Sequence, residues 1–399
     1  MTFPKPAYAC LLATTAVLAL SAPPGMAQQT GGTPATPLGR LIFGAGQQKV
    51  AIDTPQAVTV IDQDDIDRTQ PTTVRDALRN VPGVSFPGST ARPLGFAFNI
   101  RGIGDTEQPA SESRIIVTVD GVPKFYEQYR MGAFFSDPEL YKRVEVLRGP
   151  ASSTLYGSGA VGGVVNFTTK DASDFLEDGQ SRALRFRLGY ESNGDGALGS
   201  AIFAMRPTDG VEFLGALNYR RAGDVKDGGG RVIDGSAFAT PSGLLKATFR
   251  LAEDRTLRFS LQRWTSDEDD ARYAQTGSSA FGTIDRRVTD TTATLSFNDP
   301  VLGNPWFDYT LTLGYSDTQT VQKNASGIGF ASPLFFDTDY GYRTALLKLE
   351  NRSEFAGTAW DAYLTTGIEV SELDRTAKTR SAGVVGGLGF HPEGKDFRL

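Results

Sequence analysis

From about residue 181 onward the chain alternates apolar and polar positions with a period of two. In ALRFRLGY, Leu184, Phe186, Leu188 and Tyr190 share one face, and Arg185, Arg187 and Gly189 share the other. TLRFSLQRW sets Leu257, Phe259 and Leu261 against Arg258, Ser260 and Gln262. WFDYTLTLGY sets Phe307, Tyr309, Leu311, Leu313 and Tyr315 against Asp308, Thr310, Thr312 and Gly314. Such a period belongs to β-strands with one apolar and one polar face. Segments of about nine to eleven residues are long enough to cross a bilayer when tilted.

About nine such strands are expected, and the links between them alternate in length. Short links, PTDG at 207, AED at 252, DPVLGNP at 299 and AGT at 356, follow the second, fourth, sixth and eighth strands. Long links, 222–241, 266–286 and 317–341, follow the third, fifth and seventh. That parity fits a membrane barrel with short turns at one rim and long loops at the other, and a soluble sandwich has no reason to keep it. The DEDD run at 267–270 falls in a long link, where a solvated charge run is the expectation.

The region 51–175 has a mixed pattern. Ala57 to Ile61 predicts a strand, followed by a short helix capped by Asp62. In TTVRDALRNVPGV, Val74, Ala77, Leu78 and Val81 recur at helical spacing, Thr73 and Asp76 form a capping box, and Pro82 with Gly83 ends the helix. Strands are predicted at Phe96–Arg101, Arg114–Asp120 (ending in a DG turn), Arg143–Leu147 and Val164–Thr168. These elements suit a compact α+β domain of roughly 120 residues with a core of its own.

Ahead of it, residues 28–50 are rich in Gly, Pro, Thr and Gln and predict a flexible leader. They contain one apolar island, LGRLIFGAG at 38–46. Residues 1–27 have the form of a secretory signal peptide, with Lys5 before the apolar run Ala9–Leu20 and small residues at Gly25 and Ala27. The single cysteine, Cys10, lies inside that signal, so the mature chain has no thiol chemistry. A net charge of -6 over 399 residues does not suit a nucleic-acid binder. One histidine, His391, no metal-ligand cluster and no nucleophile elbow leave little for an enzyme to work with, so no catalytic residue, metal site or cofactor is expected.

The stretch VEVLRGPASSTLYGSGAVGGVVNFTTK, beginning at Val144, places Gly157, Gly159 and Gly162 at the spacing of a dinucleotide-binding turn. Such a turn must open a helix whose N-terminus meets a pyrophosphate. Here GVVNFTT follows, which predicts a strand. The glycines are expected instead where backbones approach closely.

That stretch, with FNIRGIG at Phe98 and VTVDGVP at Val117, resembles the plug domain of TonB-dependent outer-membrane receptors. The implied fold is an α+β plug domain (51–175) followed by an antiparallel transmembrane β-barrel (181–399), with about nine strands present of about 22 that a plug-holding barrel needs. The end GKDFRL does not look like a closing barrel strand, and a fragment or truncated product is the expectation. The resemblance implies export to the outer membrane of a Gram-negative bacterium, contact with its lipid, and import of an iron complex, haem or a ferric siderophore. Energy would come through TonB and its inner-membrane complex with ExbB and ExbD. Cobalamin or an oligosaccharide as substrate, and a passive porin or adhesin, stay open as alternatives.

The resemblance also assigns residues. Leu38, Arg40, Leu41, Ile42 and Phe43 lie where a TonB box is expected, able to add as a strand to a sheet edge of the partner. Arg101 and Arg148 match plug arginines that pair with acidic wall groups, a latch, although both equally suit stabilisation of the plug alone. Phe86, Arg92, Glu107, Phe125, Tyr126 and Tyr129 fall in plug links expected to face the ligand, although the aromatics among them also suit core or wall contacts. The wording SDPELYKRVEVLRGP is nearer the haem branch, whose FRAP and NPNL motifs are missing here.

Overall fold

The computed structural model describes residues 40–41, 49–50, 57–86, 98–104, 114–124, 134–150, 159–272, 282–327, 336–356, 361–379 and 394–398. Strands β1 (Arg40–Leu41) and β2 (Lys49–Val50) pair antiparallel in the leader. The plug opens with β3 (Ala57–Ile61), after which Asp62 caps α1 (Gln63–Thr69) by accepting from the Asp65 amide at 3.0 Å. In α2 (Val74–Leu78) both halves of the predicted capping box form: Thr73 Oγ1 accepts from the Asp76 amide at 3.1 Å, and Asp76 accepts from the Thr73 amide at 3.0 Å. Val74, Leu78 and Val81 are buried, and Gly83 at φ +76° turns the chain out of the helix.

A small sheet follows, built from β4 (Val84–Ser85), β5 (Asn99–Ile100) and β6 (Ile103–Gly104). The strand predicted to run through Arg101 stops before it, because Arg101 and Gly102 take φ of +53° and +83° and reverse the chain. Asn99 holds that reversal through a 3.0 Å bond from the Gly102 amide.

The main plug sheet adds β7 (Ile115–Val119), β8 (Val122–Lys124), β9 (Tyr141–Arg148) and β10 (Gly163–Thr169) in the order β3-β9-β10-β7-β8. Only β10 and β7 run parallel. Asp120 and Gly121, both at positive φ, form the two-residue turn between β7 and β8 that the DG pair predicted. At Gly163, φ is +138° and a Cβ would lie 2.0 Å from the Leu147 carbonyl oxygen, while one on Gly162 would meet Ile103 at 2.9 Å. The glycine-rich stretch therefore leads into a strand through a close backbone approach.

The wall is a single open meander of ten antiparallel strands, each paired with the next. They are β11 (Arg182–Glu191), β12 (Gly196–Thr208), β13 (Val211–Ala222), β14 (Phe238–Arg250), β15 (Thr256–Arg272), β16 (Thr283–Asp299), β17 (Tyr309–Lys323), β18 (Thr338–Ala356), β19 (Asp361–Thr379) and β20 (Gly394–Arg398). One strand more than expected is present, because the GKDFR segment pairs with β19. Most strands also run further than nine to eleven residues, into segments expected as loops.

The DEDD run shows why. It lies in β15 and not in a link, with Asp267 and Glu268 in register with Arg287 and Arg286 across a bulge before Ala271. Opposite charges facing one another across strands favour extension of the ladder. Arg287 donates to Asp267 at 2.9 Å, and Glu268 accepts from the Ala239 amide at 2.7 Å.

The faces divide as the alternation predicts. Phe186 and Leu188 are 70% and 88% exposed on the outside. Thr240, Gln262, Thr292 and Thr318 are buried on the inside, where Gln262 and Thr292 bond to Tyr141 and Lys124 of the plug. Plug and wall share apolar clusters: in one, Ile202, Ala204, Leu214, Ala216 and Leu244 join Leu140, Tyr141 and Phe167, and in another Phe135 joins Trp264 and Val288.

Candidate functional site: a charged seam between plug and wall

Where the polar inner face of the wall meets the plug, charged residues from both sides pair. On β11, Arg185 donates to Asp67 of α1 at 2.6 Å, and Arg187 to Glu139 of the SDPEL turn. Asp137 in the same turn receives a two-pronged contact from Arg220 on β13, at 3.0 and 3.2 Å. Lys246 on β14 lies 2.9 Å from Asp171 and donates to Thr169 Oγ1 at 2.8 Å. On β15, Gln262 donates to the Tyr141 hydroxyl at 3.2 Å.

The turn that carries Asp137 and Glu139 is held from within. Asp137 caps the short 3-10 turn Pro138–Leu140 through the Glu139 amide at 2.9 Å. Its Pro138 presets the backbone, since proline suits the first position of a helical turn. The two carboxylates are thereby presented toward the β11 and β13 arginines.

A second station has the opposite polarity. Lys124, at the end of the β7–β8 hairpin, donates to Asp290 at 2.8 Å, Thr292 at 2.9 Å and Ser316 at 2.8 Å. An ammonium has three donors, and all three are used. Thr318 then donates to the second Asp290 oxygen at 2.7 Å. The side chains of Lys124 and Asp290 are 2% and 1% exposed. Dehydrating such a pair costs several kcal/mol per ion, so it holds only with this full set of partners. Gly314 makes room beside it, since a Cβ there would sit 2.6 Å from Val122.

The seam shifts the ionisation of plug groups. Burial pushes the Asp171 carboxyl up, but Lys246 and Lys142 outweigh it and hold the group at about 2. Burial pushes the Lys170 ammonium down, and Glu139 at 3.8 Å offsets only part of that. Burial likewise pushes the Tyr141 hydroxyl up despite its bonds to Ser136 and Gln262.

The residues singled out from sequence fall elsewhere. Among the described residues the hydrogen-bond partners of Arg148 belong to the plug: it donates to the Ala57 carbonyl at 3.1 Å, the Pro82 carbonyl at 2.8 Å and Thr59 at 3.0 Å. It lies at the end of β9, in register with Ala57 of β3. Arg101 is exposed in the turn between β5 and β6 and lies close enough to repel the Arg148 charge. Phe86 packs against Phe98 at 5.4 Å between ring centroids, at the margin of the plug core. Phe134 stacks on Phe167 at 4.5 Å, and Phe135 meets Trp264 of the wall at 5.9 Å. Arg40 and Leu41 pair with β2. Leu38, Ile42, Phe43, Arg92, Glu107, Phe125, Tyr126, Tyr129 and His391 lie outside the described residues.

The seam residues Lys124, Asp137, Glu139, Arg187, Arg220, Lys246 and Asp290 were not singled out. For Arg187, Arg220, Lys246 and Asp290 the signal is an ionisable group at an inward position of a wall strand; Lys124, Asp137 and Glu139 are plug partners of Asp290, Arg220 and Arg187. No group of histidine, cysteine or carboxylate residues suited to a metal occurs among the described residues.

Comparison with known proteins adds an independent line. A family model for the TonB-dependent receptor plug domain matches residues 50–164. The chain is 29% identical over 340 residues to the hemin receptor of Yersinia enterocolitica, covering 84% of this chain and 47% of that protein. It is 29% identical to the TonB-dependent heme receptor A of Haemophilus ducreyi, covering 82% and 43%. Among solved structures it resembles a double mutant of the Serratia marcescens hemophore receptor HasR, in complex with its hemophore HasA and heme, with a TM-score of 0.72 and 23% identity over 86% of this chain and 48% of that one. The FrpB iron transporter of Neisseria meningitidis (F3-3 variant) follows with a TM-score of 0.67 and 19% identity over 80% and 49%. The chain spans about half the length of the relatives it matches.

Proposed function

We propose that this chain is a TonB-dependent receptor and carries the plug and ten wall strands of an outer-membrane importer of an iron complex, with haem as the first candidate. The observation that carries this reading is the seam. A polar wall face closed over a separate domain by buried ion pairs suits a gate that is held shut and opened by work. A passive porin or an adhesin has no use for such a domain.

Haem is favoured over a ferric siderophore because the similar proteins named above include hemin and heme receptors. The fold does not choose, since siderophore receptors such as PiuA of Acinetobacter baumannii share it with a TM-score of 0.60. Cobalamin and oligosaccharides stand behind both. The segment 38–46 would recruit TonB by adding as a strand to its sheet edge, with ExbB and ExbD supplying energy. Residues 1–27 would direct export and be removed by cleavage after Ala27, and the charges of the seam would hold the plug until TonB pulls.

The test is growth of iron-starved cells that depend on this receptor, given haem or a panel of ferric siderophores as the iron source. Growth on haem that is lost when residues 38–46 are deleted, with haem binding retained, supports the reading. Growth that survives the deletion removes the TonB role. Growth on a siderophore alone removes haem.

A further inference from the structure

On its outward face the wall carries a furrow of about 470 Å³ across β11 to β15. That volume lies within the roughly 300–1,000 Å³ that small-molecule sites occupy. Its floor consists of small residues on three successive strands, Ala201, Gly215 and Gly243, and its rims are Phe203, Leu217 and Leu245. Register explains the shape. Gly215 stands between Phe203 and Leu245, and Leu217 between Ala201 and Gly243, so large and small side chains alternate along each row.

Arg263 closes one end of the furrow, in register with Gly243. It is exposed and has no ion pair among the described residues. Its row continues through Thr291, Asp317 and Arg343, directly above the row Leu261, Ala293, Tyr315 and Ala345. Arg263 therefore stands where the apolar band ends, at the rim that bears the long links.

We propose that this furrow is a specific lipid site, in which an acyl chain of a phosphorylated glycolipid of the outer leaflet lies over Gly215 and Gly243 with its phosphate on Arg263. The lining is carbon apart from that one guanidinium, whose planar fork matches a phosphate with two parallel bonds. The long-link rim faces outward in such barrels, which selects the outer leaflet. The proposal rests on the reading of the wall as membrane-spanning.

The experiment takes the receptor purified from outer membranes into phosphatidylcholine nanodiscs containing either lipid A or phosphatidylglycerol, and reads bound lipid by native mass spectrometry. One lipid A molecule is expected to stay bound. Gly215→Leu fills the floor and is expected to abolish retention; a Cβ there meets nothing nearer than 3.7 Å, so the strand tolerates it. Arg263→Gln is expected to lower occupancy roughly tenfold, as loss of a charge-assisted pair would. Equal retention of phosphatidylglycerol overturns the glycolipid assignment, and unchanged retention in both variants overturns the site. Heat-dependent gel migration reports insertion separately, and its absence in the unaltered receptor counts against the membrane wall and not against the lipid.

Discussion

The plug sheet and the wall sheet bury their residues in opposite senses. In the plug, Val117, Val144, Val146 and Phe167 turn inward onto helix residues Ile66, Val74 and Leu78, as in a soluble domain. In the wall, the apolar side chains Phe186, Leu188 and Leu217 turn outward, and Thr240, Asn218 and Gln262 are the buried ones. On the proposed function, one residue alphabet serves both because what counts as outside differs: water for the plug, an apolar medium for the wall. The cost of that inversion appears where the two meet, since the plug must satisfy a polar surface. Among the described residues it does so with the acids Asp67, Asp137, Glu139 and Asp171 and with Lys124.

The comparison can be broken at several points. The largest effect is expected from Lys124→Met, which strands Asp290 in a dry site and should destabilise plug docking by about 3–5 kcal/mol, read as plug release during urea titration. Gly163→Ala forces a Cβ toward the Leu147 carbonyl at a φ that side chains rarely adopt. A loss of roughly 1–3 kcal/mol is expected, confined to the plug transition. Arg220→Lys keeps the charge but loses the two-pronged contact to Asp137, with an expected cost of about 1–2 kcal/mol and an earlier plug release at unchanged wall stability.

The pH response is a smaller effect. Asp171 is held below its usual value, at about 2 against 3.8 when free. The stability it contributes is therefore fully present above about pH 4 and lost as pH falls toward 2. Acid titration of plug docking should show the part of that loss that the wall residue Lys246 supplies, since Lys142 stays beside Asp171 within the plug, and Asp171→Asn should remove it. On the other side of the comparison, Leu188→Ser is expected to leave plug release within about 0.5 kcal/mol of the unaltered protein, because the residue faces away from the plug. A large shift in plug release would show that the outer face is not independent.

Much of the architecture was legible in the sequence, and the failures have a common cause. Local rules found the capping box at Thr73 and Asp76, the DG turn at Asp120 and the outward faces of Phe186 and Tyr315, since each depends on neighbours within a few residues. The DEDD run was misplaced because the partners that extend it, Arg286 and Arg287, lie on the next strand. The shortened strand at Arg101 depends on a positive φ that the FNIRG run does not announce. The seam was missed for the same reason at longer range: Lys124 and Asp290 are 166 residues apart, and Arg220 and Asp137 are 83 apart. The resemblance directed attention to Arg148, whose partners prove to be Ala57, Thr59 and Pro82 of the plug itself.

The central claim is that charge pairs across the seam hold the plug in the wall. A double-mutant cycle of Lys124→Met and Asp290→Asn, read by urea-induced plug release, tests it most directly. If the pair acts as a unit, each single change destabilises strongly, and the double change costs less than either, because no unpaired charge remains buried. If the double change costs the sum of the two single changes, Lys124 and Asp290 are not coupled and the claim fails.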